Sequence, residues 1–183
     1  MTTLYLIRHG QAAAGWDQDP DPGLSDLGWR QAEAVRHQFA SLPAAPLFSS
    51  PLRRARETAQ PLAQCWGAGI DILPAFAEIP APVGYSLEQR LQWLMELRHQ
   101  RWSSASSDLL QWREGIHVGL QSLPAGALVF THFMVMNVVV GLATSNDQYV
   151  CYQPDNGSVL QLQMREGEIL ILEKGAEATS KVL

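Results

Sequence analysis

The sequence is poor in cysteine and in positive charge, and it has no long apolar run. Its two cysteines, Cys65 and Cys151, sit among apolar neighbours and outside any Cys-x-x-Cys pair. That spacing excludes the common zinc-binding and dithiol redox motifs and reads as a reduced, cytoplasmic protein with at most one disulfide. Thirteen lysines and arginines stand against eighteen acidic residues, for a formal net charge of -5. A nucleic-acid partner, which calls for a basic footprint, is not expected. No stretch approaches the roughly 18 apolar residues of a membrane span. The apolar start, Met1 to Ile7, meets Arg8 at once and lacks a basic leader, so no signal peptide is expected.

What remains is a chain of 183 residues, 46% of them hydrophobic, which suffices for one core. We expect a single domain over 1–183, with 175–183 as a loose tail. Leu4–Ile7 is a continuous apolar run, as in a strand buried on both faces. Asp17–Gly23 reads as a loop. Ser25 then reads as the N-cap of a helix carrying Ala32, Val35, Phe39 and Leu42 at helical spacing. Leu47–Phe48 ends a short strand, and Ser50-Pro51 suggests an N-cap with proline at the first helical position, the helix running to about Trp66. Ile70–Leu73 is a further short strand, and prolines make Pro74–Gly84 irregular. Ser86 and Gln89 have capping-box spacing before a stripe of Leu87, Leu91, Leu94, Met95 and Trp102. A helix over Asp108–Leu123, a buried strand over Ala127–Phe130 and an apolar helix to about Ala143 follow. Three strands are expected last: Tyr149–Tyr152, Val159–Gln163 and Ile169–Leu172.

Alternating buried strands and helices argue for an α/β fold, a three-layer sandwich in which helices flank a mostly parallel central sheet. Ligands of such folds bind beyond the carboxyl ends of the strands. The polar residues at those ends are Arg8-His9-Gly10, then Ser49-Ser50 with Arg53 and Arg54, then Glu78, then Thr131-His132. Two histidines, at least two arginines and a carboxylate at one sheet edge suit phosphoryl transfer. Arginine grips two anionic oxygens at once. A neutral imidazole attacks phosphorus, and a carboxylic acid protonates the leaving oxygen.

At these residues the chain resembles the histidine phosphatase superfamily, also called phosphoglycerate mutase-like. The match runs through Leu6-Ile7-Arg8-His9-Gly10-Gln11 and Leu24-Ser25-x-x-Gly28-x-x-Gln31-Ala32. It continues in Ser49-Ser50-Pro51-Leu52-x-Arg54-Ala55-x-x-Thr58-Ala59, at Glu78 and in Val129-Phe130-Thr131-His132. The resemblance implies His9 as the nucleophile, Glu78 as the proton donor, and Arg8, Arg54 and His132 as phosphoryl-binding groups. It implies no metal and no other cofactor. Gln11 either reaches the phosphoryl group or caps the loop; Arg53 and Arg56 read as solvated, and Glu88 as a helix-dipole partner.

Two positions depart from the family pattern. Phe133 stands where glycine commonly follows the second histidine, and Gly15 where mutases carry asparagine. No Arg-Arg pair lies between Glu78 and His132. These departures favour a phosphomonoesterase, with a phosphorylated small molecule or a phosphoprotein as substrate. A mutase-type isomerase and a non-catalytic phospho-ligand binding module are the alternatives. Tyr85 and Trp16 flank loops near the site. Oligomeric state is not readable from the sequence.

Overall fold

A computed structural model describes residues 1–15 and 17–179. Six strands form one sheet: β1 (Thr2–Arg8), β2 (Leu47–Ser49), β3 (Ile70–Ile72), β4 (Leu128–Thr131), β5 (Val159–Arg165) and β6 (Glu168–Lys174). Five helices accompany them: α1 (Asp26–Phe39), α2 (Arg53–Trp66), α3 (Leu87–Leu97), α4 (Ser107–Ser122) and α5 (Phe133–Thr144). The strand order is β3-β2-β4-β1-β5-β6. The pairs β2–β3, β2–β4 and β1–β4 are parallel, whereas β1–β5 and β5–β6 are antiparallel. The sheet is therefore mixed, parallel in the half that carries β1 to β4.

Alternation of side chains along the strands splits the core into two layers. On one face Leu4, Leu6 and Val129 join Leu160 and Leu162 under α3, α4 and α5. On the other, Ile7, Leu128 and Phe130 pack on Val35, Phe39, Ala55, Ala59 and Leu62 from α1 and α2. Every residue of α5 from Phe133 to Gly141 is buried, as expected of a helix apolar on all sides. The expected helix–sheet–helix layering is thus present.

Several local expectations give way to tertiary contacts. Pro51 is not the first residue of α2, which begins at Arg53 with Leu52 as its N-cap. The Ser50 hydroxyl instead accepts from the Leu52 N–H at 3.2 Å and meets His132. Leu42 lies beyond the end of α1 and is exposed. Trp102 leaves the helical stripe for a separate 3-10 turn, Trp102–Ser104, where it is buried against Tyr149, with ring centroids 4.1 Å apart. Tyr149–Tyr152 is not a strand: the buried Asn137 carboxamide accepts from the N–H groups of Cys151 and Tyr152, which takes the donors a ladder would use. Both cysteines are free thiols. The start of the expected tail is tied down, with Ala178 N–H donating to Gln153 and Asp155 N–H donating to Ala176. Residues 180–183 of that expectation, and Trp16, lie outside the described residues.

The loop after β1 is pressed onto the first turn of α1. Ser25 caps α1 by accepting from Gly28 N–H, and Ser25 N–H donates to the Gln11 carbonyl at 2.9 Å. A Cβ on Gly10 would lie 2.5 Å from the Gly28 carbonyl oxygen, and one on Gly28 would overlap the Gln11 carbonyl. Only two glycines allow these backbones to cross. Gly28→Ala is expected to cost about 1–3 kcal/mol, as overpacking against backbone does. Urea denaturation of the variant checks this, and unchanged stability would refute the close crossing.

Candidate active site

The parallel register sets the site. Arg8 pairs with Thr131 across β1 and β4, so the residues that follow, His9 and His132, leave the sheet at one level. The ladder continues past the strands: His9 N–H donates to the Thr131 carbonyl at 3.0 Å, and Ser50 N–H donates to the Phe130 carbonyl at 2.9 Å. The first turn of α2 supplies Arg54. The loop after β3 supplies Glu78, held by Thr131 Oγ1 donating to the Phe76 carbonyl and Trp112 Nε1 donating to the Ala77 carbonyl. Arg8, His9, Arg54, Glu78 and His132 are all buried.

The hydrogen bonds assign the His9 tautomer. Nδ1 lies 2.7 Å from the Gly10 carbonyl, which can only accept, so the proton sits on Nδ1. Nε2 therefore carries the lone pair, and Arg54 Nε donates to it at 3.1 Å. Burial holds His9 neutral, well below the usual histidine range, reinforced by Arg54 and Arg8 and opposed by the Gly10 carbonyl. The Gly10 N–H donates to Thr58 Oγ1, whose own proton goes to the Arg54 carbonyl, so one threonine ties the nucleophile loop to α2.

His132 faces His9 with ring centroids 5.1 Å apart. Its Nε2 is 2.6 Å from Ser50 Oγ. That hydroxyl also accepts from Leu52 N–H, so Ser50 Oγ joins the start of α2 to the imidazole. The other ring nitrogen, Nδ1, is buried and has no hydrogen-bond partner among the described residues. Burial again pushes this imidazole well below its usual range, helped by Arg54, His9 and Arg8.

Arg8 donates through Nη1 to the Pro154 carbonyl at 2.8 Å and lies over the Phe133 ring, 5.1 Å from its centroid. Burial lowers its pKa to about 10, against the pull of Glu78 and Asp155, so it stays cationic at neutral pH. Phe133, which replaces the usual glycine, thus packs in the core and forms a platform for Arg8. Glu78 Oε1 accepts from the N–H groups of Ile79 and Met134, the second of these at the start of α5. Burial raises the Glu78 pKa, opposed first by Arg54 and then by the Ile79 N–H, Arg8 and the Met134 N–H.

Buried neutral histidines make stability pH-dependent. Both shifts are downward, so the folded protein binds fewer protons than the unfolded chain below histidine's ordinary 6.5. Their contribution is complete above that value and is lost as pH falls toward the folded values. Each neutral histidine contributes a slope of about 1.4 kcal/mol per pH unit. Glu78 gives the opposite slope. His132→Asn should therefore lose about one proton's share of the acid destabilisation, measured as unfolding free energy at pH 7 and pH 5. An unaltered pH dependence would contradict the buried neutral state.

Other candidates fall into place. Gln11 is exposed at the cavity rim, and its side-chain oxygen accepts from Ser25 Oγ at 2.8 Å, so it caps the loop. Arg53 is exposed and paired with Glu57 at 2.7 Å, and Arg56 is exposed. Glu88 is exposed on α3, and Tyr85 does not line the cavity. The sequence reading missed Asn156, whose Nδ2 donates to the His9 carbonyl at 2.9 Å. Asn156-Gly157, a turn-forming pair with Gly157 at φ 75°, was the available signal. The cavity in front of His9 measures about 690 Å³. Among the described residues no cluster of three His, Cys, Asp or Glu side chains is arranged to hold a metal ion, and no helix is long and apolar enough to cross a membrane.

Both the sequence and the fold around this site have counterparts among known proteins. Residues 4–176 match the family model of the histidine phosphatase superfamily (branch 1), and the chain belongs to that superfamily. Over 112 residues the chain is 30% identical to a protein of Erwinia tasmaniensis named "Probable phosphoglycerate mutase GpmB", covering 59% of this chain and 51% of that protein. A solved mycobacterial glucosyl-3-phosphoglycerate phosphatase is 20% identical with a TM-score of 0.75, covering 97% of this chain and 100% of its own. Phosphoserine phosphatase of Entamoeba histolytica, 21% identical, gives a TM-score of 0.72 over 100% of both chains. These two likenesses are of fold. The chain spans 16%, 51% and 47% of the length of the first three curated relatives it matches.

Proposed function

We propose that the protein hydrolyses phosphate monoesters through a covalent phosphohistidine on His9. The observation that carries this reading is the His9 tautomer: Nδ1–H is fixed on Gly10, and the Nε2 lone pair is aimed among cationic groups. Arg54 Nε donates to that lone pair, and an arriving phosphoryl group offers it a stronger acceptor. Nε2 attacks phosphorus, and the bond to the ester oxygen breaks as Glu78 delivers its proton to that oxygen. Water then attacks the phosphohistidine and gives a proton to the Glu78 carboxylate, and the P–N bond breaks to restore the lone pair. Arg8, Arg54, the His132 imidazole and the N-terminus of α5 stabilise the charge on the equatorial oxygens.

The cavity volume suits a small phosphorylated metabolite. The structural neighbours named for glucosyl-3-phosphoglycerate and phosphoserine support the same substrate size. Glu78, buried beside the nucleophile with a raised pKa, argues for turnover over mere binding. Rapid quenching with a radiolabelled aryl phosphate tests the proposal. An acid-labile, alkali-stable adduct approaching one per chain and mapping to His9 is expected. Label on another residue, or turnover with no adduct and no burst, would defeat it.

A further inference from the structure

Residues 153–158 form a loop that holds two members of the phosphoryl site at once. The Pro154 carbonyl accepts from Arg8 Nη1 at 2.8 Å, and Asn156 Nδ2 donates to the His9 carbonyl at 2.9 Å. Two backbone bonds join them: Arg8 N–H donates to the Ser158 carbonyl and Gly157 N–H to the Arg8 carbonyl, each at 3.0 Å. Arg8 and His9 are therefore placed only as well as this loop is. A connecting loop is mobile unless something outside it fixes its backbone.

The chain after β6 does so. Asp155 N–H donates to the Ala176 carbonyl at 2.9 Å, and Ala178 N–H donates to the Gln153 carbonyl at 2.8 Å. Between these bonds Pro154 and Glu177 form an antiparallel bridge. That is the pattern of a non-hydrogen-bonded pair, in which both residues turn their own amide groups away from each other. Proline fits this position, because its missing N–H would have had no partner across the bridge. Its carbonyl is turned to the opposite side, where Arg8 takes it. Entry into the bridge depends on Gly175. A Cβ there would lie 2.5 Å from the Val159 carbonyl oxygen and 2.8 Å from its nitrogen, so glycine lets the chain pass the start of β5 this closely. Residues 175–178 do not line the cavity, so their effect on chemistry passes through the loop.

We propose that residues 176–178 are a positioning clamp for phosphoryl transfer. They fix the Pro154 carbonyl and the Asn156 carboxamide, and through them the Arg8 guanidinium and the His9 backbone. The proposal rests on the hydrolase reading and adds to it a segment that never meets substrate.

The test uses the full chain and a single turnover of p-nitrophenyl phosphate with enzyme in saturating excess. Chains that do not fold drop out of the limiting rate, which then reports the geometry of folded sites alone. Ala178→Pro deletes one N–H donor from the clamp. Its limiting rate should fall by about tenfold or more, the scale on which small misplacement of reacting groups acts. Ala178→Ser keeps the N–H and should match the wild type. Gly175→Ala opens the crossing at Val159 and should slow the reaction likewise; it decides the matter by the same rate if Ala178→Pro does not fold. A wild-type limiting rate in Ala178→Pro, whatever its melting temperature, makes the clamp a matter of stability alone and overturns the proposal. Equal slowing in Ala178→Ser traces the effect to the side chain and also overturns it. Both results leave the hydrolase reading standing. A wild type that turns over no phosphate ester defeats that reading, and the clamp falls with it.

Discussion

His9→Ala is expected to lower turnover of an aryl phosphate by about a thousandfold or more, the scale on which losing a covalent nucleophile acts. The size follows from the absence of a substitute. The other imidazole, His132, is tied through Nε2 to Ser50 Oγ at 2.6 Å, so it is held in place by α2's start and is not free to replace His9. The variant should still bind inorganic phosphate within about tenfold of wild type, because both guanidiniums remain to form charge-assisted bonds. That pairing of results, chemistry lost and anion binding kept, separates a missing nucleophile from a collapsed site. Hydrolysis at the wild-type rate would end the proposal, whatever the affinity.

Glu78→Gln should cost about a hundred- to ten-thousandfold on an alkyl ester, the range of general acid catalysis. On p-nitrophenyl phosphate, whose leaving group needs no proton, the loss should be far smaller. Glutamine retains an oxygen for the Ile79 and Met134 N–H groups, so the loop keeps its anchors. The pH profile supplies a second readout. The Glu78 pKa is raised by burial, so the donor form persists above the ordinary carboxyl range. In the wild type, kcat/KM for the alkyl ester should fall as pH rises through that raised value. In Glu78→Gln the falling limb should vanish. Equal losses on both esters, with the limb intact, would remove Glu78 from the proton-donor role.

The parts of this molecule that could be read from sequence are those fixed by local chemistry. Ser25 and the Ser86–Gln89 capping box act within one helical turn, and both occur where the side-chain pattern put them. The strand-end residues Arg8, His9 and His132 were legible because a buried parallel strand fixes where the chain next meets solvent. Positions decided by distant partners were not. Ser50-Pro51 has the local form of a helix start, yet the serine faces an imidazole 82 residues away. Tyr149–Tyr152 has strand composition, yet Asn137 claims its donors. Asn156 carries no signal beyond a turn, because its task is to hold the carbonyl of a residue from another strand.

That last contact bears on how the protein is made. His9 and the asparagine that fixes its carbonyl are separated by 147 residues, and β1 is flanked by β4 and β5, both from the far end of the chain. During synthesis His9 emerges well before the asparagine that fixes it and must wait for the intervening chain. Long-range pairing of this kind is slow relative to helix formation. Competence is therefore conferred only once β4, Asn156 and β5 have been made: a ribosome stalled before β4 holds the histidine but no site.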